Sequence, residues 1–121
     1  MQLQESGEMY LETIFVLSGK LPCVRAIDVG EYMGFSKPSV SRAIGLLRSG
    51  GLVEVDENGH LSLSEAGRQV AQRTYERHRL LKDYFVRLGV APETADADAC
   101  KIEHRISDET VEALRKHLDT L

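Results

Sequence analysis

Hydrophobic residues recur at helical spacing over three successive stretches near the N-terminus, at residues 5–18, 24–33 and 38–49. Spacings of three and four residues place such side chains on one face, which is typical of an amphipathic helix. Gly34 separates the second stretch from the third, at a position where a left-handed helix end favours glycine. Pro38 begins the third stretch, because the first turn of a helix does not need the missing N–H group. We therefore predict three helices, the last two joined by a short turn.

The pattern then changes to the alternation that is typical of strands. Residues 52–55 and 60–63 alternate between apolar and polar side chains, and Asp56-Glu57-Asn58-Gly59 favours a tight turn between them. A pair of helices joined by a short turn and followed by a β-hairpin is the pattern of a winged helix-turn-helix. We therefore predict a winged helix-turn-helix DNA-binding domain over residues 1–63.

Helical spacing returns after the hairpin and continues to the end of the chain. It covers residues 64–88, residues 94–104 and the residues that follow Ser107. Ser64 and Ser107 are the predicted N-caps of the first and last of these helices, as Ser36 is of the helix that Pro38 begins. The predicted fold class is therefore mainly α, with a second, helical domain over residues 64–121.

The N-terminal end of the third helix carries the residues that are suited to contact DNA. In a helix-turn-helix the second helix enters the major groove by this end. The candidates are short hydroxyls, a rigid apolar ring and long cations, namely Ser36, Lys37, Pro38, Ser39 and Arg42. Arg42 can reach a guanine edge or a phosphate, and the ring of Pro38 can contact a thymine methyl group. A plain helical hairpin with a solvated face is the alternative, but it does not explain the β-hairpin that follows.

The charge of the chain argues weakly against a nucleic-acid binder, because such proteins are often basic. The formal net charge is −4 at pH 7. However, Lys37, Arg42 and Arg48 cluster in the middle of the chain, while acidic residues gather at the N-terminus and from Glu93 onward. An acidic protein can still present a basic surface to DNA.

The composition is that of a folded protein outside the membrane. No apolar stretch approaches the roughly 20 residues of a membrane span, and no signal peptide is visible. The two cysteines, Cys23 and Cys100, are compatible with a reducing compartment. We therefore expect a cytoplasmic protein with no membrane partner.

Cys100, Glu103 and His104 form the chemically most distinctive group in the sequence. Positions i, i+3 and i+4 share one face of a helix, and the predicted helix 94–104 contains all three. Thiolate, carboxylate and imidazole are all ligands of transition metals. The spacing therefore predicts part of a metal site. Cys23 is interpreted as a small buried hydrophobic residue, and His60 and His117 as structural or solvated.

An enzyme is not expected. The sequence contains neither a nucleophile–base constellation nor a glycine-rich phosphate loop. A metal-buffering protein is a further alternative, but it would not need a recognition helix or a hairpin.

The ordered set of motifs resembles the DtxR/MntR family, the diphtheria-toxin-repressor-like regulators that depend on iron or manganese. The motifs are Glu8-Met9-Tyr10-Leu11-Glu12-Thr13-Ile14, Ser36-Lys37-Pro38-Ser39-Val40-Ser41, Gly50-Gly51-Leu52-Val53, Leu63-Ser64-Glu65-Ala66-Gly67, Arg77-His78-Arg79-Leu80-Leu81 and Cys100-Lys101-Ile102-Glu103-His104. This resemblance implies a homodimer that represses transcription by binding a palindromic operator in double-stranded DNA when a divalent metal is bound. It also implies that the helical domain binds the metal and forms the dimer. Because nothing follows Leu121, we expect the short form without the SH3-like domain.

The resemblance also implies two groups of metal ligands. Met9, Cys100, Glu103 and His104 match the regulatory site, although an isolated methionine at helical spacing is more often a core residue. His78 matches an ancillary site. The chain departs from the family at Lys82, where a glutamate is frequent and an ammonium would repel a cation. The substitute ligands at the ancillary site are Glu12, Asp83 or Asp96.

The sulfur donors affect which metal is expected. They favour Fe²⁺, Co²⁺, Ni²⁺ or Zn²⁺ over Mn²⁺, and the resemblance makes Fe²⁺ the predicted physiological ion. A manganese-responsive regulator of the same family remains an alternative, as does a winged-helix regulator that does not respond to metal.

Overall fold

The computed structural model describes residues 5–121, and these residues form a mainly helical chain with one small sheet. The elements are α1 (Glu5–Ser18), α2 (Ala26–Met33), α3 (Lys37–Ser49), β1 (Val53–Val55), β2 (Leu61–Leu63), α4 (Glu65–Arg87), α5 (Pro92–Ile102) and α6 (Asp108–Asp119). The two strands pair antiparallel, with Val53 opposite Leu63. The predicted fold class, a mainly α chain with a winged helix-turn-helix followed by a helical part, is confirmed.

The chain forms two compact units. The N-terminal unit ends at Gln72, and the C-terminal unit comprises Arg73–Leu121, so the division falls inside α4. The domain boundary between residues 63 and 64 stays a prediction, because one continuous helix follows it.

The core of the N-terminal unit contains the apolar faces that the periodicity predicted. On α3, Val40, Ile44 and Leu47 are buried. On α2, however, only Val29 is fully buried, and Ile27 is mostly exposed. The buried core residues of this unit are Tyr10, Leu11, Ile14, Leu17, Val24, Val29, Val40, Ile44, Leu47, Leu52, Val53, Leu61 and Ala71.

The predicted start of the second helix at Val24 is wrong by two residues. Val24 is 3% exposed and forms a β-bridge with Leu61, whose N–H donates to the Val24 carbonyl at 2.7 Å. The helix begins at Ala26, where the N–H of Arg25 donates to Asp28 Oδ2 at 2.9 Å. A branched apolar residue fits a helix or a strand, so spacing alone could not separate the two.

A glycine allows α4 to approach the first strand closely. A Cβ atom on Gly67 would lie 2.0 Å from the carbonyl oxygen of Leu52, far inside van der Waals contact. Ser64 fixes the start of the same helix, since its Oγ accepts from the N–H of Gly67 at 3.1 Å and donates to the carbonyl of Gly51 at 2.7 Å. The capping role predicted for Ser64 is confirmed.

In the C-terminal unit, the helix predicted over residues 94–104 is shifted. It runs from Pro92 to Ile102, so Glu103 and His104 follow the helix rather than lie within it. Glu103 keeps right-handed helical dihedrals, and its N–H still donates to the carbonyl of Ala99 at 3.0 Å. Cys100 and Glu103 therefore still share a face.

The last helix begins where the sequence predicted. The Oγ of Ser107 accepts from the N–H of Thr110 at 3.1 Å, as an N-cap does, and Val111 is buried. Among residues 5–121, no helix combines the length and the apolar character that a membrane span requires.

Candidate metal centre and nucleic-acid interface

A buried carboxylate, Glu103, is the centre of a polar cluster in the C-terminal unit. Its side chain is 0% exposed, and Oε2 accepts from Nδ1 of His78 at 2.7 Å. Oε1 lies 3.3 Å from Nε2 of His104, whose side chain is 1% exposed. Within the described residues, Oε1 accepts no hydrogen bond. A buried carboxylate needs charged or hydrogen-bonding partners, and here His78 provides one at Oε2. The structure therefore brings together Glu103, His104 and His78, three of the predicted metal ligands.

His78 on α4 bridges two carboxylates. Its Nε2–H donates to Asp96 Oδ1 at 2.8 Å, in addition to the bond from Nδ1–H to Glu103. These contacts, with the hydrogen bond to Glu103 the largest cause, raise the pKa of His78 to about 9 even though burial works against the charge. The hydrogen bond from His78 in turn lowers the pKa of Asp96. His78 is therefore an imidazolium at neutral pH in this arrangement and acts as a partner of the carboxylates.

Lys82 also contacts this cluster. Its Nζ lies 3.4 Å from Asp96 Oδ1, whereas the carboxylate of Asp83 is paired with Arg87 at 3.4 Å. Of the two acidic substitutes for the ancillary site in the C-terminal unit, Asp96 is therefore the residue that is hydrogen-bonded to His78. Sequence reasoning considered Asp96 only as one of several alternatives.

Sequence reasoning missed the role of Arg77. Its side chain is buried, with the residue 9% exposed, and Nη1 donates to the carbonyls of Glu103 at 3.3 Å and Ile106 at 2.6 Å. Nη2 pairs with the carboxylate of Asp108 at the start of α6. A signal was present, because Arg77 occurs at helical spacing between the buried residues Thr74 and Leu81. A charged residue on a buried face indicates a fixed set of partners.

Cys100 lies one helical turn before Glu103 and is partly buried on α5. Within residues 5–121, neither Cys100 nor Cys23 takes part in a disulfide. The prediction that Cys23 is buried is wrong, because it is exposed in the connection between α1 and α2. The thiol, the buried carboxylate and the imidazole of His104 are compatible with a transition metal by their chemistry. In the described part of the chain, however, no three His, Cys, Asp or Glu side chains are arranged so that they could hold a metal ion.

Met9 and Glu12, the other predicted ligands, belong to the N-terminal unit. They lie one turn apart on α1, and both are partly buried. The carbonyl of Met9 accepts from Oγ1 of Thr13 at 2.9 Å, which leaves its thioether outside that contact. Their role as metal ligands stays a prediction.

All five predicted DNA-binding residues are exposed at the start of α3. Ser36 is the N-cap, since its Oγ accepts from the N–H of Ser39 at 3.4 Å and donates to Ser39 Oγ at 2.9 Å. Lys37, Pro38 and Arg42 are exposed beside it. The positive end of the helix dipole and the exposed cations beside it make this a favourable place for a phosphate.

The hairpin tip differs from α3 in charge. Asp56 Oδ1 accepts from the N–H groups of Asn58 at 2.8 Å and His60 at 2.9 Å, which closes the turn. The backbone hydrogen bond from His60 is the largest cause of a lowered pKa at Asp56. Together with the exposed Glu57, the ionised Asp56 gives this tip a negative character that does not suit phosphate.

Two family models cover this chain. The N-terminal DNA-binding domain of iron-dependent repressors matches residues 2–61, and their metal-binding and dimerisation domain matches residues 64–121. The transcriptional regulator MntR of Escherichia coli O6:H1 is 34% identical over 106 residues, which are 88% of this chain and 68% of that protein. This chain belongs to the iron-dependent repressor family. The predicted DtxR/MntR membership is thereby confirmed.

Other relatives include both iron and manganese regulators. The iron-dependent repressor IdeR of Mycobacterium tuberculosis (strain CDC 1551 / Oshkosh) is 32% identical over 119 residues, covering 98% of this chain and 52% of the relative. The crystal structure of the metal-dependent transcriptional regulator MtsR has a TM-score of 0.87 at 29% identity, covering 93% of this chain and 53% of that one. The manganese regulator SloR has a TM-score of 0.84 at 30% identity, with the same coverage. This chain thus spans about half the length of these three relatives.

The matched domains place this member of the iron-dependent repressor family among proteins that bind DNA, bind metal and dimerise. Members of the family are transcriptional regulators and not enzymes, as the sequence predicted. Because MntR and IdeR both match, membership alone does not distinguish iron from manganese.

Proposed function

We propose that this chain is a transcriptional repressor of the cytoplasm that binds operator DNA as a homodimer when it is loaded with a divalent metal, physiologically Fe²⁺. The observation that carries this proposal is the buried Glu103, in contact with His104 and one helical turn after Cys100. This group lies in the region that matches the metal-binding and dimerisation domain.

Cys100, Glu103 and His104 would hold the ion, and Met9 is the predicted fourth ligand. Glu103 Oε1 is the atom best suited to bind the ion, since Oε2 is hydrogen-bonded to His78. His78 would then orient the ligand carboxylate from behind, as outer partners of metal ligands commonly do. The thiolate and the thioether support Fe²⁺ over Mn²⁺.

Lys82 supports a single ion per protomer. Its ammonium stands 3.4 Å from Asp96 Oδ1, so the carboxylate beside His78 already has a cationic partner. A second divalent cation would have to displace both the ammonium and the imidazolium from this carboxylate. Glu12 remains the predicted ligand of that second site, which Lys82 disfavours.

The exposed start of α3 supports DNA binding. Lys37 and Arg42 would contact phosphates or guanine edges, while Ser36, Pro38 and Ser39 would approach the bases closely. A two-fold dimer presents two such helices, so the proposed operator is palindromic. When bound, a divalent cation supplies positive charge that offsets the buried carboxylate, and it favours whichever arrangement of the dimer binds it more tightly.

A manganese-responsive regulator is the second candidate, and the similarity to MntR favours it. The two candidates differ in the ion that produces tight DNA binding at the lower free concentration. Anaerobic titration of the protein with Fe²⁺ and with Mn²⁺ in the presence of labelled DNA distinguishes them.

The test uses duplexes enriched from a random pool by the Co²⁺-loaded protein, and it measures their affinity by fluorescence anisotropy. For Cys100→Ala we expect metal-dependent affinity to fall at least about tenfold, because a thiolate ligand is lost. Cys23→Ala is the matched control, since Cys23 is an exposed thiol in the other unit, and it should behave like the parent. Equal affinity of Cys100→Ala and the parent would refute the metal site. If a chelator leaves the DNA affinity of the parent unchanged, the result would favour a winged-helix regulator that does not respond to metal.

A further inference from the structure

Arg77 and His78 are consecutive residues of α4, and they hold the two ends of the same residue. His78 donates to the side-chain carboxylate of Glu103 at 2.7 Å, and Arg77 donates to its main-chain carbonyl at 3.3 Å. With the main chain and the carboxylate both fixed, the direction of the Glu103 side chain is determined. A metal ligand benefits from such orientation by its neighbours.

The segment that Arg77 contacts has no regular structure. It joins the end of α5 at Ile102 to the start of α6 at Asp108 and contains both Glu103 and His104. The last carbonyls of a helix have no partner within the helix, so another group has to supply the hydrogen bonds. Arg77 donates one hydrogen bond to the carbonyl of Glu103 and a second to the carbonyl of Ile106 at 2.6 Å. It also pairs with the carboxylate of Asp108.

Only an arginine suits this arrangement of three acceptors. Its planar guanidinium carries five N–H donors at fixed angles, whereas a lysine offers one flexible ammonium. An apolar side chain would meet the need for packing alone, as Leu81 does one turn further along the same helix. A buried guanidinium is costly to desolvate, so its full set of partners indicates that it fixes a geometry.

We propose that Arg77 is a positioning residue that sets the geometry of the Glu103–His104 segment and joins this segment to the start of α6. The inference rests on the proposed function of that segment as the metal centre. It assigns Arg77 no contact with the ion. It predicts instead that the affinity for metal depends on how Arg77 holds the carbonyl of Glu103 and the carboxylate of Asp108.

The test compares Arg77→Lys and Asp108→Asn with Arg79→Lys as the matched control. Arg79 is an exposed arginine two residues further along α4, with its guanidinium 5.9 Å from the ring centre of Tyr75. Each purified full-length variant is titrated anaerobically with Co²⁺, and the visible d–d bands and the thiolate charge-transfer band are recorded. Circular dichroism and thermal unfolding of the metal-free protein report separately on the fold.

For Arg77→Lys we expect Co²⁺ affinity to fall at least about tenfold and the d–d bands to shift, in a protein that remains folded without metal. Asp108→Asn should show a smaller loss, because it keeps an acceptor for Arg77 and removes only the charge. Arg79→Lys should match the parent in affinity and spectrum.

Parent-like affinity and spectrum in folded Arg77→Lys would overturn the proposal. If Arg77→Lys does not fold, the Co²⁺ titration of Asp108→Asn tests the proposal instead. A parent-like titration of Asp108→Asn would then overturn the proposal. The titration of the parent tests the proposed function separately. Absence of saturable Co²⁺ binding there would refute the metal centre itself rather than the role of Arg77.

Discussion

The start of α3 and the cluster around Glu103 both carry charged residues, but they are built in opposite ways. The residues predicted to contact DNA occur in one short segment, Ser36 to Arg42, and all of them are exposed. The side chain of Glu103 is fully buried, and its partner His78 comes from another helix, 25 positions earlier in the chain. Exposed cations cost little to desolvate and need no fixed partner, whereas a buried carboxylate depends on every neighbour. Substitutions of the exposed cations in the first region should therefore change DNA affinity alone, and those in the second region should change both metal affinity and stability.

The largest effect is expected for Glu103→Ala. It removes a proposed ligand and leaves His78 and His104 without their buried partner. Metal affinity should fall by about 100-fold or more, and the free energy of unfolding should fall by about 3–5 kcal/mol. A Co²⁺ titration and a urea unfolding curve measure the two effects. Glu109→Ala, which removes an exposed carboxylate in the first turn of α6, should change neither. Parent-like metal binding by Glu103→Ala would remove the proposed centre.

The next effect concerns DNA affinity alone. Arg42→Ala should weaken DNA binding by about 1–3 kcal/mol, because it removes a cation from the end of α3 that is proposed to enter the groove. Metal affinity and thermal stability should stay unchanged. Arg48→Ala, in the last turn of the same helix, should cost less. Anisotropy titrations of both variants at one fixed salt concentration make the comparison. A larger loss for Arg48→Ala would contradict the proposed docking of α3.

A third prediction concerns how many ions each protomer binds. Lys82→Glu replaces the ammonium beside Asp96 with a carboxylate, which would create a second group of oxygen and nitrogen ligands with His78. We expect equilibrium dialysis against Mn²⁺ to show the number of bound ions rising from one to two per protomer. The control is Arg87→Glu, which reverses the charge of a residue on the same helix that is paired with Asp83. This variant should still bind one ion per protomer. Two ions in the parent would contradict the role assigned to Lys82.

The smallest effect is expected at the hairpin tip. Glu57→Lys reverses an exposed charge where the tip is acidic, so DNA affinity at low salt should rise by about 0.5–1 kcal/mol. The gain should vanish as salt increases, because exposed charges are screened. Anisotropy measured over a range of salt concentrations tests this. A loss of affinity would show that the acidic tip takes part in binding DNA favourably.

The elements that the sequence predicted well depend on local signals. The end of α1 at Ser18 was predicted as observed, and the capping roles of Ser36, Ser64 and Ser107 were predicted correctly. Each of these follows from residues within a few positions of one another, where spacing and capping chemistry act.

The errors have a common physical origin, which is pairing between distant residues. The second helix starts late because Val24 pairs with Leu61, and no local pattern contains that bridge. Likewise, no local pattern contains the hydrogen bond between His78 and Glu103, which are 25 positions apart. The role of Arg77 was missed because its partners lie 26 to 31 positions further along the chain and two of them are main-chain carbonyls, although its place between buried residues was a signal.

The central claim is that one metal ion is held by Cys100, Glu103 and His104. Anomalous diffraction from crystals loaded with Co²⁺ tests it most directly, since the anomalous signal locates the ion independently of the protein atoms. The account predicts one strong peak per protomer within bonding distance of Sγ of Cys100, a carboxylate oxygen of Glu103 and a ring nitrogen of His104. The peak's neighbours would also show whether Met9 is a ligand. A peak elsewhere, with these three side chains turned away from it, would contradict the account.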